Sequence, residues 1–187
     1  MQVIGMTLNS EAITSRLRLL SALVEMRNLE ALVASEASRI GELVDLHQAK
    51  EIFNRWAQDS ETHRKTCQHM IDKLCDTVPQ SERAGSIEAS LSSTHIESNI
   101  FERFPELKEN KLTARVLYYL AEKHLILEGD AGRRYVEMAE IADDQETKRM
   151  LMELSKAEEE HHREAQMLVD SLQKILKKGE TSTVNTL

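Results

Sequence analysis

Residues 156–165 read KAEEEHHREA and contain two overlapping Glu-x-x-His pairs. Glu158 pairs with His161, and Glu159 pairs with His162. A three-residue step places both side chains of a pair on neighbouring parts of one helical face, so either pair has the spacing of two metal ligands. Only a pair that faces the protein interior can act in this way, and the other pair is then charge on a solvated surface. The sequence around this block separates the two pairs.

Composition and hydrophobic periodicity predict an all-α protein. The 187 residues include only six Gly and two Pro, with 41% hydrophobic and 30% charged residues. Four segments carry stripes at alternating three- and four-residue steps, which are typical of amphipathic helices. Each stripe is mostly apolar at its ends and polar in its middle. The stripes comprise Leu19, Leu23, Met26, Glu30, Val33, Ala37, Ile40 and Val44; Ala49, Phe53, Trp56, Ser60, His63, Cys67, Met70 and Leu74; Ala114, Leu117, Ala121, His124, Glu128, Ala131, Tyr135, Met138 and Ala142; and Leu151, Leu154, Glu158, His161, Ala165, Leu168 and Leu172.

A weak internal repeat predicts that the four helices form two hairpins. A shift of 98 residues superimposes the two halves of the chain, and such repeats fix architecture. The repeat aligns Met26 with His124, Glu30 with Glu128, Asp45 with Asp143, Ser60 with Glu158, and His63 with His161. Asp45 with Gln48, and Asp143 with Glu146, also have capping-box spacing at the starts of the second and fourth helices.

We therefore predict one four-helix-bundle domain over residues 1–187, made of two hairpins joined by a long crossover. Its core covers about residues 10–175, the crossover residues 79–109, and a flexible tail residues 176–187.

The repeat also places the polar centres of the stripes at one level. In each half, 15 residues separate the first glutamate from the hairpin Asp, and 15 more lead to Ser60 or Glu158. At about 1.5 Å per residue, each arm climbs and descends by the same amount.

Buried carboxylates are costly unless they are paired or bound to metal, and imidazole with carboxylate suits iron or manganese and also admits zinc. We predict metal ligation by Glu30, His63, Glu128, Glu158 and His161, with Ser60, His124 and Tyr135 as further ligands or outer partners. The pair Glu159 and His162 is then solvent-facing.

Two motifs resemble a known superfamily. The stretches from Glu128 to Tyr135 (EGDAGRRY) and from Leu154 to His161 (LSKAEEEH) resemble the E..A...Y and L...E..H patterns of ferritin-like di-iron carboxylate proteins. The nearest branch in style is the rubrerythrins. The first half matches more loosely, through Glu30 and the WAQDSETH stretch that ends at His63, and the resemblance covers roughly residues 15–175.

The resemblance implies a ferritin-like fold, two bound iron ions, and reduction of peroxide or dioxygen in defence against oxidative stress. The chain departs from the family at Ser60, where the family has a metal-bridging Glu, and this leaves a coordination position open. It also lacks the CxxC pairs of a rubredoxin domain. A separate electron donor, such as a rubredoxin-like protein, is therefore expected, together with a homodimer or higher homo-oligomer.

Three hypotheses for function remain open at this point. The first is a non-haem di-metal oxidoreductase, a di-iron peroxidase or oxidase, in which one ion, manganese or zinc are alternatives to two irons. The second is a protein that oxidises and stores iron. The third is a degenerate, metal-free bundle that acts as an interaction protein, which Ser60 motivates. No catalytic residue is assigned.

Charge and hydropathy exclude several other classes of partner. A net charge of −8 argues against nucleic acid, because phosphate binding needs a basic surface. No apolar run approaches membrane-spanning length, and the N-terminus has no signal-peptide pattern, so we expect a cytoplasmic protein that does not bind membranes. The two cysteines, Cys67 and Cys75, form neither a disulfide framework nor a CxxC metal site.

Overall fold

The computed structural model describes residues 10–78, 80–82 and 113–184, with side chains as far as residue 178. These residues are helical apart from short connections, and no strand occurs among them. Residues 80–82 are helical as well. The four long helices are α1 (Ser10–Leu43), α2 (His47–Cys75), α3 (Ala114–Ile141) and α4 (Gln145–Val184). The prediction of an all-α fold is confirmed. Within the described ranges, no helix is both long enough and apolar enough to cross a membrane.

The helices pack as two hairpins. Close backbone approaches are concentrated between α1 and α2 and between α3 and α4, with smaller contacts of α1 with α3 and of α2 with α4. The turns inside the hairpins are short, so the two helices of each hairpin are antiparallel. The two hairpins assemble side by side into a helical bundle.

Ion pairs between the hairpins fix their relative direction. Each one joins an early residue of one helix to a late residue of its neighbour, which makes α1 antiparallel to α3 and α2 antiparallel to α4. The pairs are Arg16–Asp143 at 2.6 Å, Lys123–Glu36 at 2.9 Å and Lys73–Asp144 at 3.0 Å. Because α2 ends at the opposite end of the bundle from the start of α3, the connection between them has to span the bundle's length. The predicted crossover over residues 79–109 lies almost wholly outside the described residues.

The apolar core divides into two layers, one towards each end of the bundle. The first layer includes Ile40, Phe53, Trp56, Leu117 and Leu168. The second includes Leu20, Leu23, Met70, Tyr135 and Leu151. All four helices contribute to each layer, and burying one such side chain stabilises the fold by about 1.5–3 kcal/mol. Between the two layers, the buried residues are polar or ionisable.

The helix starts differ from the predicted capping boxes. The N-cap of α4 is provided by Asp144, whose Oδ1 accepts a hydrogen bond from Thr147 N at 2.9 Å. Asp143 instead pairs with Arg16. The N-cap of α2 is Leu46, which makes no side-chain capping bond, so the Asp45 prediction is wrong as well.

The end of α4 also differs from the prediction. The helix continues to Val184, so residues 176–184 extend the last helix where a flexible tail was expected. Charged side chains with good helix propensity, such as Lys177 and Lys178, favour this continuation. Residues 185–187 lie outside the described residues.

Candidate metal centre

The middle of the bundle gathers all eight side chains that the sequence singled out, with at least one from each helix. Each of them is less than 7% exposed. They are Glu30 on α1; Ser60 and His63 on α2; His124, Glu128 and Tyr135 on α3; and Glu158 and His161 on α4. Long sequence separations are bridged here because the polar centres of the antiparallel helices lie at one level. The role of these residues as metal ligands remains a prediction.

The first group of candidate ligands consists of Glu30, His63 and Glu158, each contributing one ligand atom within 4.8 Å of the others. His63 Nδ1 lies 2.6 Å from Glu158 Oε1 and 3.7 Å from Glu30 Oε1. Three separate helices supply the three side chains. This triad joins the two hairpins, since Glu30 and His63 belong to one and Glu158 to the other.

The second group consists of Glu128, Glu158 and His161, again with ligand atoms within 4.8 Å of one another. His161 Nδ1 lies 3.3 Å from Glu158 Oε2 and 3.5 Å from Glu128 Oε2. Glu158 therefore belongs to both triads and presents a different oxygen to each. A carboxylate shared in this way has the position of a ligand that bridges two ions.

Several buried nitrogen and oxygen atoms of the centre are free to act as ligands of a cation. His63 Nδ1, Glu128 Oε1 and Glu158 Oε1 are buried, and none has a partner in hydrogen-bond geometry. Even the 2.6 Å approach of His63 to Glu158 lacks that geometry. An unsatisfied buried polar atom costs about 1–3 kcal/mol, and a metal ion would satisfy several at once.

A small cavity lies among the three carboxylates. It measures about 10 Å³ and is bounded by Glu30, Glu128 and Glu158 together with apolar residues of α1 and α3. This is close to the smallest volume that holds one water molecule, and a metal ion is no larger. The buried Glu and His side chains can therefore hold a metal ion.

Outer hydrogen bonds orient two of the candidate ligands. His161 Nε2 lies 3.1 Å from Asp59 Oδ2, so a proton donated there leaves Nδ1 directed at the glutamates. The Tyr135 hydroxyl donates to Glu30 Oε1 at 2.6 Å, and Cys67 Sγ lies 3.6 Å from the same hydroxyl. Such partners fix the tautomer and the orientation of ligating groups. Asp59 is not among the predicted site residues, because an aspartate that precedes Ser60 on a charged helix resembles any solvated residue in sequence.

His124 is an unsatisfied nitrogen donor beside the second triad. Its ring is fully buried against Phe53 and Trp56, with centroid distances of 5.4 and 5.2 Å. Nδ1 lies 3.6 Å from Glu128 Oε1, and neither ring nitrogen makes a hydrogen bond. His124 therefore has an imidazole nitrogen close to the carboxylate oxygen that the second triad leaves unused.

The electrostatics of the centre favour protonated histidines in the absence of metal. Burial lowers the pKa of His63, but Glu158 and Glu30 outweigh it and raise the pKa to about 9. Burial likewise lowers the pKa of His161, but Glu128 and Glu158 outweigh this effect and raise the pKa to about 11. Burial and the neighbouring Glu128 raise the pKa of Glu158. Burial works against ionisation of Glu128, but the neighbouring Glu158, His124 and His161 lower its pKa.

These shifts predict that the metal-free protein loses stability as the pH rises. A histidine whose pKa is raised on folding contributes stability that is complete below its unfolded value of about 6.5. For His63 this contribution is lost as the pH passes through about 9, and for His161 only nearer 11. The raised pKa of Glu158 also makes the folded state less stable as the pH rises, but at lower pH than the histidines do. We expect the free energy of unfolding of EDTA-treated protein to fall by at least roughly 3 kcal/mol between pH 6.5 and 9.5.

Urea denaturation at three pH values across this range measures the effect. Substitution of the exposed His47 by Gln provides the control and should leave the slope unchanged. Equal free energies of unfolding at pH 6.5 and 9.5 would contradict the raised pKa values of His63 and His161.

The second Glu-x-x-His pair lies on the surface, as predicted. Glu159 and His162 are both exposed. His162 is nevertheless held in place, because its Nδ1 lies 2.9 Å from the carbonyl oxygen of Leu125 and donates to it. Glu164 on the same helix accepts a hydrogen bond from Trp56 Nε1 at 3.1 Å through its Oε2. Tertiary partners on α2 and α3 thus immobilise part of the charged face.

Comparison with known proteins adds no relative: no family model, curated protein or solved structure matches the chain. The resemblance described above therefore depends on this chain's own residues. A fold class by itself does not determine chemistry, so function has to be argued from the geometry of the buried centre.

Proposed function

We propose that the chain is a ferritin-like di-metal carboxylate protein of the rubrerythrin type, without a rubredoxin domain, that reduces peroxide or dioxygen. The observation that carries the proposal is Glu158, whose two oxygens belong to two different buried Glu/His triads. Shared carboxylates on facing helices, with Glu-x-x-His motifs beside them, are the pattern from which bundles build dinuclear sites.

The donor set favours iron as the metal. Three carboxylates and two imidazoles offer mixed oxygen and nitrogen ligands, which suit iron and manganese and also admit zinc. Redox chemistry at peroxide or dioxygen requires a metal that changes oxidation state, and zinc does not. Iron in both triads is therefore the form of the protein that we propose.

The bound metals would polarise the O–O bond and supply electrons to it. The residues of the chain hold this centre in place. Tyr135 fixes Glu30 through its hydroxyl, and Asp59 fixes His161. Ser60 is buried and has a short hydroxyl side chain where a bridging Glu is expected, so we propose that a small substrate would occupy the coordination position that this leaves. Electrons would arrive from a separate small redox protein, and the working unit would be a homodimer or higher homo-oligomer.

Anaerobic iron loading tests this proposal. Fe(II) is titrated into metal-free protein, and hydrogen peroxide is then added at one equivalent per two bound irons. We expect two Fe(II) per chain, the loss of the added peroxide, and a new near-ultraviolet absorption band from the oxidised centre. Failure to bind iron, or bound iron that leaves the peroxide intact, would overturn the proposal.

A metal-free structural bundle is a second candidate, and one observation favours it. With His63 and His161 protonated, two positive charges offset most of the negative charge of the three buried glutamates without a cation. Thermal unfolding with and without Fe(II), Mn(II) and Zn(II) separates the two candidates. A metal that binds only the folded state stabilises it by about 2.7 kcal/mol at 100 times its Kd, whereas a structural bundle would show no change.

A further inference from the structure

A second, larger cavity opens between α3 and α4 and ends at the candidate metal centre. Its volume is about 330 Å³. Its lining includes Glu128 and Glu158, which belong to the buried triads, and the exposed residues Arg133 and Arg163. The inner end of the cavity is therefore lined by two glutamates that face each other across the α3–α4 hairpin.

Two glycines one turn apart keep this cavity open. A Cβ at Gly132 would lie 3.4 Å from Glu158 Cβ, so any longer side chain there would occupy the space in front of the carboxylates. A Cβ at Gly129 would lie 3.2 Å from His162 Nδ1, the nitrogen that donates to Leu125 O. Glycine in mid-helix costs about 1 kcal/mol relative to alanine, and here it maintains a passage to the centre.

The cavity is larger than dioxygen or peroxide requires. A water molecule has a share of about 30 Å³ of liquid volume, so the space matches roughly ten small-molecule heavy atoms, within the lower range of ligand sites. The wall below the arginines is formed by Gly129, Gly132 and Val136, which suits an apolar body.

The two arginines at the mouth can attract an acidic group, and Glu159 is the one acidic residue that lines the cavity besides the two buried glutamates. Arg133 lies on α3 and Arg163 on α4, so they approach the opening from both walls. Their acidic partners, Asp130 and Glu160, lie three residues away on the same exposed helix faces. Exposed pairs of this kind contribute little, so a ligand can compete for them. Arg163 Nε also donates to the main-chain oxygen of Glu159, which leaves its other guanidinium nitrogens available.

We propose that this cavity binds a small organic acid, with the carboxylate between Arg133 and Arg163 and the apolar body directed towards Glu128 and Glu158. The proposal deepens the proposed function, because it names the class of organic substrate that would be presented to the metal centre. Binding itself requires only the cavity. It can therefore be tested on metal-free protein, and its failure would leave the iron-loading result unaffected.

The experiment is a titration of ¹⁵N-labelled, metal-free full chain followed by NMR, with three probes. Hexanoate has both the acid and the chain, acetate has the acid without the chain, and 1-hexanol has the chain without the acid. We expect hexanoate to shift the amide signals of Gly129 and Gly132 in a saturable way, at a concentration at least about tenfold below that of acetate or hexanol. Equal half-saturation by acetate or hexanol would overturn the proposed ligand class. Shifts scattered over the surface would overturn the site.

Two sets of variants test whether hexanoate binds at the two arginines and inside the cavity. Substitution of both Arg133 and Arg163 by Gln should weaken hexanoate binding about fivefold and leave hexanol unaffected. The control Arg149→Gln removes an equally exposed arginine that pairs with Glu153 away from the cavity, and it should change neither. Gly132→Ala keeps an ordinary contact with Glu158, so the helix is retained while the inner end of the cavity is partly filled. Unchanged hexanoate affinity in both the double variant and Gly132→Ala would refute the site.

Discussion

Replacing Glu158 with glutamine is expected to remove both metal ions at once. Glutamine keeps the shape of the side chain but not its negative charge, and Glu158 is the residue that both triads share. Loss of an outer-shell partner alone costs roughly 10–100-fold in metal affinity, so loss of the shared ligand should exceed this range. Metal analysis after dialysis and calorimetric titration with Fe(II) under anaerobic conditions, or with Zn(II), measure the stoichiometry. The expected change is from two ions per chain to none.

The neighbouring residue in the same sequence block provides the control. Glu159 is exposed, so Glu159→Gln removes the same charge one position along the helix without touching the triads. It should retain both ions. Glu30 belongs to one triad only, so Glu30→Gln should retain one ion, held by Glu128, Glu158 and His161. Two ions in the Glu158 variant, or equal losses in the Glu158 and Glu159 variants, would refute the shared-ligand geometry.

Most of the interior of this bundle could be predicted from periodicity alone. Every residue of the four stripes is buried except Ala114, which lies at the first turn of α3 and is half-buried. The prediction succeeds because each helix is long and turns one face to its partners over its whole length. In each antiparallel hairpin, residues at equal distances from the turn lie at the same level of the bundle. Residues about 100 positions apart, such as His63 and His161, are therefore close in space.

The remaining features depend on contacts that no local pattern encodes. The cap of α4 shifts by one residue because Asp143 is occupied by Arg16, from the opposite hairpin. Asp59 and His162 look like ordinary surface residues in sequence, and their partners lie on other helices. The cavity between α3 and α4 follows from two glycines facing Glu158 and His162, and their spacing becomes informative only when the facing helix is known.

The buried Ser60 makes the centre asymmetric, because the equivalent residue of the other hairpin is Glu158. Ser60 is only 1% exposed, and its neighbours Asp59 and His63 on α2 reach His161 and Glu158 of the other hairpin. The internal repeat aligns Ser60 with Glu158, so the shared carboxylate of one hairpin corresponds to a hydroxyl on the other. The asymmetry predicts that a carboxylate introduced at residue 60 will have opposite effects in the absence and presence of metal.

In the metal-free protein, Ser60→Glu is expected to be strongly destabilising. A fourth carboxylate in the buried centre would add to the charge of Glu30, Glu128 and Glu158, and an unpaired buried charge costs about 3–5 kcal/mol. With iron or manganese bound, the same side chain would supply a second carboxylate to the ions, from the α1–α2 hairpin. We then expect metal affinity to rise by at least about tenfold, and folding to become strongly dependent on metal. Urea denaturation of EDTA-treated and metal-loaded protein measures both effects.

Ser60→Gln separates charge from size. Glutamine occupies nearly the same volume as glutamate, so any cost of packing a longer side chain between the helices appears equally in both variants. Only the glutamate should be rescued by metal, because only a carboxylate can offset the charge of two divalent cations. If the two variants respond alike to added metal, residue 60 does not face the ions. The open position of the centre would then have to lie elsewhere, most directly on the side of Glu128 where His124 presents an unpartnered nitrogen.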